Sequence, residues 1–230
     1  MSAIERHRVW DAPTRLVHWL LALGVVFQWL SGKYELVPML WHYYVGYSLL
    51  ALLVFRIMWG FAGSDTARFV RFVGGPAAAW RYVSSVATAM RAGASDGERR
   101  AHLHAGHNPI GAVSAIALLA STLLQAISGL YASDDILDAG PLVAGASAAT
   151  VSAMSAIHRT NEYALVVLVA VHVAAVAWHA RRLDEDLVRA MIDGRKSLPA
   201  APGLRFAPNS RALVLFALAA ALVYLVVSRG

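Results

Sequence analysis

Five stretches of this 230-residue chain are apolar for long enough to cross a bilayer: about 16–32, 38–61, 109–132, 155–180 and 211–227. Crossing the hydrocarbon core takes about 20 mostly apolar residues in a helix. Backbone in lipid must satisfy its own hydrogen bonds, so each stretch is expected to be helical. The predicted class is therefore all-α integral membrane protein. A composition of 58% hydrophobic and 15% charged residues agrees, being too apolar for an ordinary soluble domain. The formal charge of +6 would suit nucleic acid on a soluble protein. Here the basic residues fall in particular loops, as membrane topology demands, and no nucleic-acid partner is expected.

Those loops alternate. Arg6, Arg8 and Arg15 precede the first span, and only Lys33 lies between the first and second. Seven arginines lie from Arg56 to Arg100. The loop between the third and fourth spans has no Lys or Arg but carries Asp134, Asp135 and Asp138. Six arginines and Lys196 follow from Arg181 to Arg211. By the positive-inside rule the N-terminus is cytoplasmic and the C-terminus outside. The first span is long and no A-x-A site follows it, so it reads as a retained helix rather than a cleaved signal. Residues 76–91, with Trp80, Arg81 and Tyr82, read as a short interfacial helix. Residues 93–100 (GASDGERR) read as a polar turn, and no internal repeat is evident.

Four histidines sit within or at the edge of these spans: His18, His42, His158 and His172. An ionisable side chain at membrane depth is expensive and marks a functional site by default. His158 and His172 are 14 residues apart, so they share a helix face about 21 Å apart along the axis. With the predicted topology, His42 and His158 lie toward the outside, His18 and His172 toward the cytoplasm. His18 stands roughly 20 Å of helix before the end of its span, the same drop as on span four. Two axial pairs on facing helices suit two stacked metal centres. The chain has no cysteine, which excludes disulfides, iron–sulfur clusters and thioether-attached haem. The pattern reads as two non-covalent b haems, bis-imidazole ligated, with one-electron transfer as their chemistry and no separate catalytic residue.

Other histidines have local explanations. His107 lies in GHNP before span three, where Asn108 suits an N-cap and Pro109 the first helical position. It remains a rival ligand, and HLHAGH (His102, His104, His107) a possible surface metal site. His179, at the membrane edge, either meets a quinone headgroup or lies in the interface. Arginine pairs with haem propionates in bidentate fashion, which brings in Arg15, Arg56 and Arg159. Arg159 stands out because it lies against the positive-inside bias, beside His158. Gly24, Gly46, Gly111 and Gly129 sit inside spans, where small residues admit a macrocycle or another helix. Gly46 is taken as a cofactor contact.

Read together, WDAPTRLVHWLLALGVVFQWLSG, LWHYYVGY, FRIMWGFAGSDTARF, GHNPIGA, the H-x13-H of span four and LVRAMIDGRK resemble the bacterial cytochrome b561 family. The closest resemblance is to the branch holding the b-type subunit of nickel–iron hydrogenases, over about residues 8–198. It implies a four-helix core with two b haems, ligated by one histidine of helix one, one of helix two and two of helix four. Those positions are His18, His42, His158 and His172. Residues 1–198 are then one membrane domain, and 199–230 a linker with an extra C-terminal transmembrane helix of unassigned role. The implied function is electron transfer between a periplasmic redox protein (a hydrogenase-like enzyme or a c-type cytochrome) and the quinone pool. A stand-alone quinone-linked superoxide oxidase is the alternative within the family, although the acidic outer loop would repel superoxide. A non-redox transporter or assembly protein is the alternative outside it, but such proteins tend to carry intramembrane carboxylates or broken helices. Here Glu162 alone is acidic near a span core.

Overall fold

The computed structural model describes residues 5–34, 36–92, 104–134, 136, 138–198 and 200–229. The GASDGERR turn, His102 and Asp135 lie outside these residues. In chain order the elements are β1 (Glu5–Arg8), α1 (Ala12–Tyr34), α2 (Met39–Ala62), α3 (Phe69–Phe72), α4 (Gly75–Arg91), α5 (Pro109–Leu130), α6 (Ala148–Arg182), α7 (Leu187–Asp193), β2 (Arg195–Leu198) and α8 (Asn209–Val227). Five of them, α1, α2, α5, α6 and α8, are long and apolar enough to span a membrane. They coincide with the five expected spans, and α4 with the expected interfacial helix. Large apolar side chains on them, such as Leu23 and Leu213, are exposed, as lipid-facing residues are.

Helix ends follow local chemistry. Asp11 caps α1, its Oδ1 accepting from Thr14 N at 2.7 Å, with Pro13 in the first turn. Asn108 caps α5, accepting from Gly111 N at 2.7 Å. Ser147 caps α6, accepting from Thr150 N at 3.2 Å. With this cap α6 starts seven residues before the expected 155. At 35 residues α6 is about 52 Å long, against a hydrocarbon core of about 30 Å.

The chain divides into two compact units: Met1–Arg15, Trp59–Ala117 and Val169–Asn209 in the first, Leu16–Met58, Leu118–Leu168 and Ser210–Gly230 in the second. Each unit takes parts of several spans.

The first unit is stitched by polar contacts between distant segments. β1 and β2 pair antiparallel, Glu5 opposite Leu198 and Arg8 opposite Arg195. Val9 and Trp10 both donate their N–H to Gly194 O, and Arg6 pairs with Asp193 at 2.7 Å. Gly194 ends α7 at φ 79°, and a Cβ there would lie 2.8 Å from Trp10 O. Both the left-handed backbone and the close approach require glycine. Val9, Trp10, Ala190 and Leu198 form a small apolar core beneath the ribbon. Asp11 accepts a second bond from Trp59 Nε1 at 3.0 Å, and Thr66 donates to Val9 O at 2.7 Å. Asp65 Oδ2 and Ser64 Oγ receive the Arg205 and Ala207 amides. The WDAPTR and WGFAGSDTARF segments thus hold one another through side chain–backbone bonds.

The second unit packs more apolar surface. Leu50, Ala51, Leu130 and Val223 form its core, so α8 packs against α2 and α5. Phe55 meets Phe216 edge to face. Gly24 admits Leu49 of α2, whose Cδ2 would lie 2.5 Å from an added Cβ. The loop after α5 turns back sharply, with Gly140 N bonded to Ala132 O and Leu142 N to Leu130 O. Ser133 N donates to Ser155 Oγ at 3.0 Å and ties this loop to α6. Tyr43 donates to Asp138 at 3.2 Å, and Asp134 accepts the Ile136 and Asp138 amides, so both acids shape the loop.

Candidate functional site

Three of the four span histidines lie in the second unit, and two of them, His42 and His158, are near enough to influence each other electrostatically. Each rests in a cradle on the preceding span. On α1, Ser31 Oγ donates to Gln28 O at 3.2 Å and contacts His42 Nδ1 at 2.9 Å. A Cβ on Gly32 would lie 3.2 Å from His42 Cε1. On α5, Ser128 Oγ donates to Gln125 O at 3.1 Å and lies 3.3 Å from His158 Nδ1. His158 Nδ1 also donates to Gln125 O at 3.0 Å. A Cβ on Gly129 would lie 2.9 Å from His158 Cε1.

The cradles share one sequence, Q-x-x-S-G: QWLSG at 28–32 and QAISG at 125–129. An internal repeat therefore does exist, against the expectation of none. Five residues with three matches vanish into an apolar helix, and only the following histidine gives them meaning. The Gln125 carbonyl can only accept, so His158 Nδ1 carries the proton and its Nε2 keeps the ring's lone pair, while at His42 the Ser31 hydroxyl can serve either tautomer. Fixing one nitrogen by a hydrogen bond to a protein oxygen is how a metal-binding imidazole is held in its ligating tautomer. The donor set fits haem iron: neutral imidazoles, each faced by a glycine that leaves the ring clear.

The other predicted residues fall as follows. His18 on α1 belongs to the second unit and His172 on α6 to the first, both partly buried. Arg15 reaches Ile192 O at the end of α7. Arg56 is buried within α2 at 6% exposure. Arg159 is exposed on α6, close enough to His158 to act on it electrostatically. At Gly46 the space for a side chain is held by Gln28 Nε2, 2.9 Å from an added Cβ.

His107 is packed between Trp10 and Phe72, at ring distances of 4.9 and 4.5 Å. No group of three or more metal-ligating side chains occurs among the described residues. His179 does not lie open in the interface. It is 5% exposed, its Nδ1 3.0 Å from Glu185 and its Nε2 3.4 Å from Asn108 Nδ2. Lys196 Nζ completes this cluster, 2.7 Å from Glu185, and also donates to His104 O and Gly106 O. Burial pushes the Glu185 carboxyl up, but the bonds from His179 and Lys196 outweigh it and hold the group below its ordinary value. Burial and Glu185 push the Tyr82 hydroxyl up to about 12. Glu185 precedes α7 and Lys196 lies in β2 beyond it, so sequence spacing does not reveal this pair.

The sequence profile described as prokaryotic cytochrome b561 matches residues 9–194. No curated protein and no solved structure matches the chain. With the match covering most of the chain and five membrane-spanning helices present, the chain belongs to the prokaryotic cytochrome b561 family, in its hydrogenase-type branch, as a multi-pass membrane b-type cytochrome that binds haem b non-covalently and transfers electrons.

Proposed function

We propose that the protein is a di-haem cytochrome of a bacterial inner membrane, carrying electrons between a periplasmic redox protein and the quinone pool. His42 and His158 hold the outer haem, and His18 and His172 the inner one. The observation that carries this reading is the pair of matched cradles within one unit, in which the Gln125 carbonyl leaves His158 Nε2 in the ligating form and Ser31 Oγ orients the His42 ring. Depth and helix-face spacing support the second pair. Haem supplies reversible one-electron chemistry when bound. The protein's part would be to supply imidazole ligands, hold their rings in the ligating orientation and exclude water. Arg159 faces the periplasm in the proposed topology, where it offsets the negative charge of a propionate or an incoming partner. Arg15 and Arg56 serve the inner side, with Gly46 beside the outer pair.

The partner is a hydrogenase-like enzyme or a c-type cytochrome, and the loop carrying Asp134 and Asp138 is on its side of the membrane. Pyridine haemochrome assay of the purified chain is expected to give about two b haems per chain, extractable by acid–acetone. A value near zero, or haem that resists extraction, overturns the reading. Alkaline phosphatase fused after Asp138 is expected to be active, and after Gly97 inactive. The reverse would exchange the two sides.

A further inference from the structure

We propose that Asn161 is a positioning residue for His158, acting through Gln125 to decide which acceptor the imidazole Nδ1–H uses and so how the ring is turned. The inference rests on the reading of His158 as a haem ligand.

Asn161 lies three residues after His158, close to the same face of α6. Its amide is fully used across the helix interface. Nδ2 donates to Ser121 O at 3.0 Å and to Gln125 Oε1 at 2.7 Å, and Oδ1 accepts from Ser121 Oγ at 3.0 Å. Gln125 Nε2 then donates back to His158 O at 2.9 Å. The residue whose carbonyl receives the His158 proton at 3.0 Å is thus held at both ends of its own side chain. Ser128 Oγ, at 3.3 Å, is the competing acceptor. A carbonyl is the stronger acceptor and leaves more electron density on the ring, which favours oxidised iron.

The α1 cradle shows what happens without the lock. Val45 stands three residues after His42, and Gln28 Oε1 is buried with no hydrogen-bond partner among the described residues. There His42 Nδ1 meets the serine hydroxyl instead, at 2.9 Å. The same five-residue motif therefore offers a hydroxyl to one imidazole and a carbonyl to the other, and Asn161 is the residue that separates the two cases.

The test is Asn161→Leu in the full chain, purified with its haem, read by low-temperature electron paramagnetic resonance and by redox titration. The haem that disappears in His158→Ala is expected to show a changed g-anisotropy and a raised potential, while the other haem keeps both. Gln125→Leu is expected to shift the same haem in the same direction, and the double variant to go no further than the larger single one. An unmoved signature with both haems retained, or additive shifts, overturns the inference. If Asn161→Leu does not accumulate, Ser121→Ala decides: it removes one bond to Asn161 without a large cavity and should give a smaller shift of the same sign. No shift there also overturns the inference. Absence of haem from the unaltered chain overturns the haem reading itself, whereas haem present with an unmoved signature overturns this inference alone.

Discussion

The two compact units solve the same problem, joining helices, with different chemistry. The first uses an ion pair: Glu185 and Lys196 are each no more than 8% exposed, and the equally buried His179 is bonded to the same carboxylate. The second uses neutral groups around its histidines: serine hydroxyls, side-chain amides, carbonyls and two glycines. A buried ion pair stays charged only when its hydrogen bonds are complete. A neutral imidazole needs only one oriented acceptor, and it keeps a lone pair for a metal. The ionic unit is therefore suited to fixing chain segments, and the neutral unit to holding a ligand.

The largest effect that would break this comparison is loss of a haem. His42→Ala and His158→Ala are each expected to remove the same one of the two haems, counted by pyridine haemochrome, while His18→Ala and His172→Ala remove the other. If His18→Ala and His42→Ala delete the same spectral species, the pairing is wrong. Next comes Glu185→Gln, which leaves Lys196 buried without its counter-charge and should cost about 3–5 kcal/mol. Thermal unfolding should show that loss, while the haem bound by His42 and His158 is retained. An unchanged melting profile would remove the ionic half of the comparison.

Within the neutral unit, Gly129→Ala should disturb haem binding more than Gly32→Ala, because the added Cβ falls 2.9 Å from one ring and 3.2 Å from the other. Haem retention during purification measures both, and equal losses would show that the cradles are equally roomy. A smaller effect is expected at Arg159. With the guanidinium gone, nearby negative charge is less offset and an arriving electron is less favoured. Arg159→Gln should lower the potential of the His42–His158 haem and leave the other nearly unchanged in a redox titration.

The smallest effect is a pH dependence. Glu185 titrates below its ordinary value of 4.5, so its stabilisation is complete above that pH and fades as pH falls through the folded value. Hydrogen exchange of the β1 and β2 amides should speed up on acidification through that window. Exchange that is flat there would mean Glu185 does not hold the ribbon.

How much was legible in the chain depended on the physics that wrote it. The five spans are dictated by hydropathy, so both their number and most of their ends could be read. The early start of α6 was missed, because the polar SAIHRTN stretch at 155–161 separates the apolar AATVSAM from the main apolar run, and the Ser147 cap that begins the helix lies before both. The β1–β2 ribbon left no trace. ERHR and RKSL show no apolar alternation, and what pairs them is Gly194, Asp193 and a core of four residues beneath. The histidines were conspicuous, and depth alone proposed their pairing. What was not legible was how each is oriented, because hydrogen-bond acceptors on a neighbouring helix have no fixed sequence distance from the residue they serve. His179 shows the same limit, since its partner Glu185 looks like an ordinary loop acid until the chain turns back.

The double use of Asp11 bears on the order in which the molecule is made. Its two oxygens engage Thr14 and Trp59, and Thr66 closes on Val9 just beyond. All of these groups lie in the first 66 residues, so the opening pair of spans can be latched while the rest of the chain is still on the ribosome, as domains that fold from the N-terminus during synthesis do. The partners of Arg6 and of β1, by contrast, arrive only with Asp193 and β2. Nascent chains released before that point would carry a closed first hairpin with a bare strand, and quality-control proteases would find the defect at the N-terminus although the missing piece belongs to the other end of the gene.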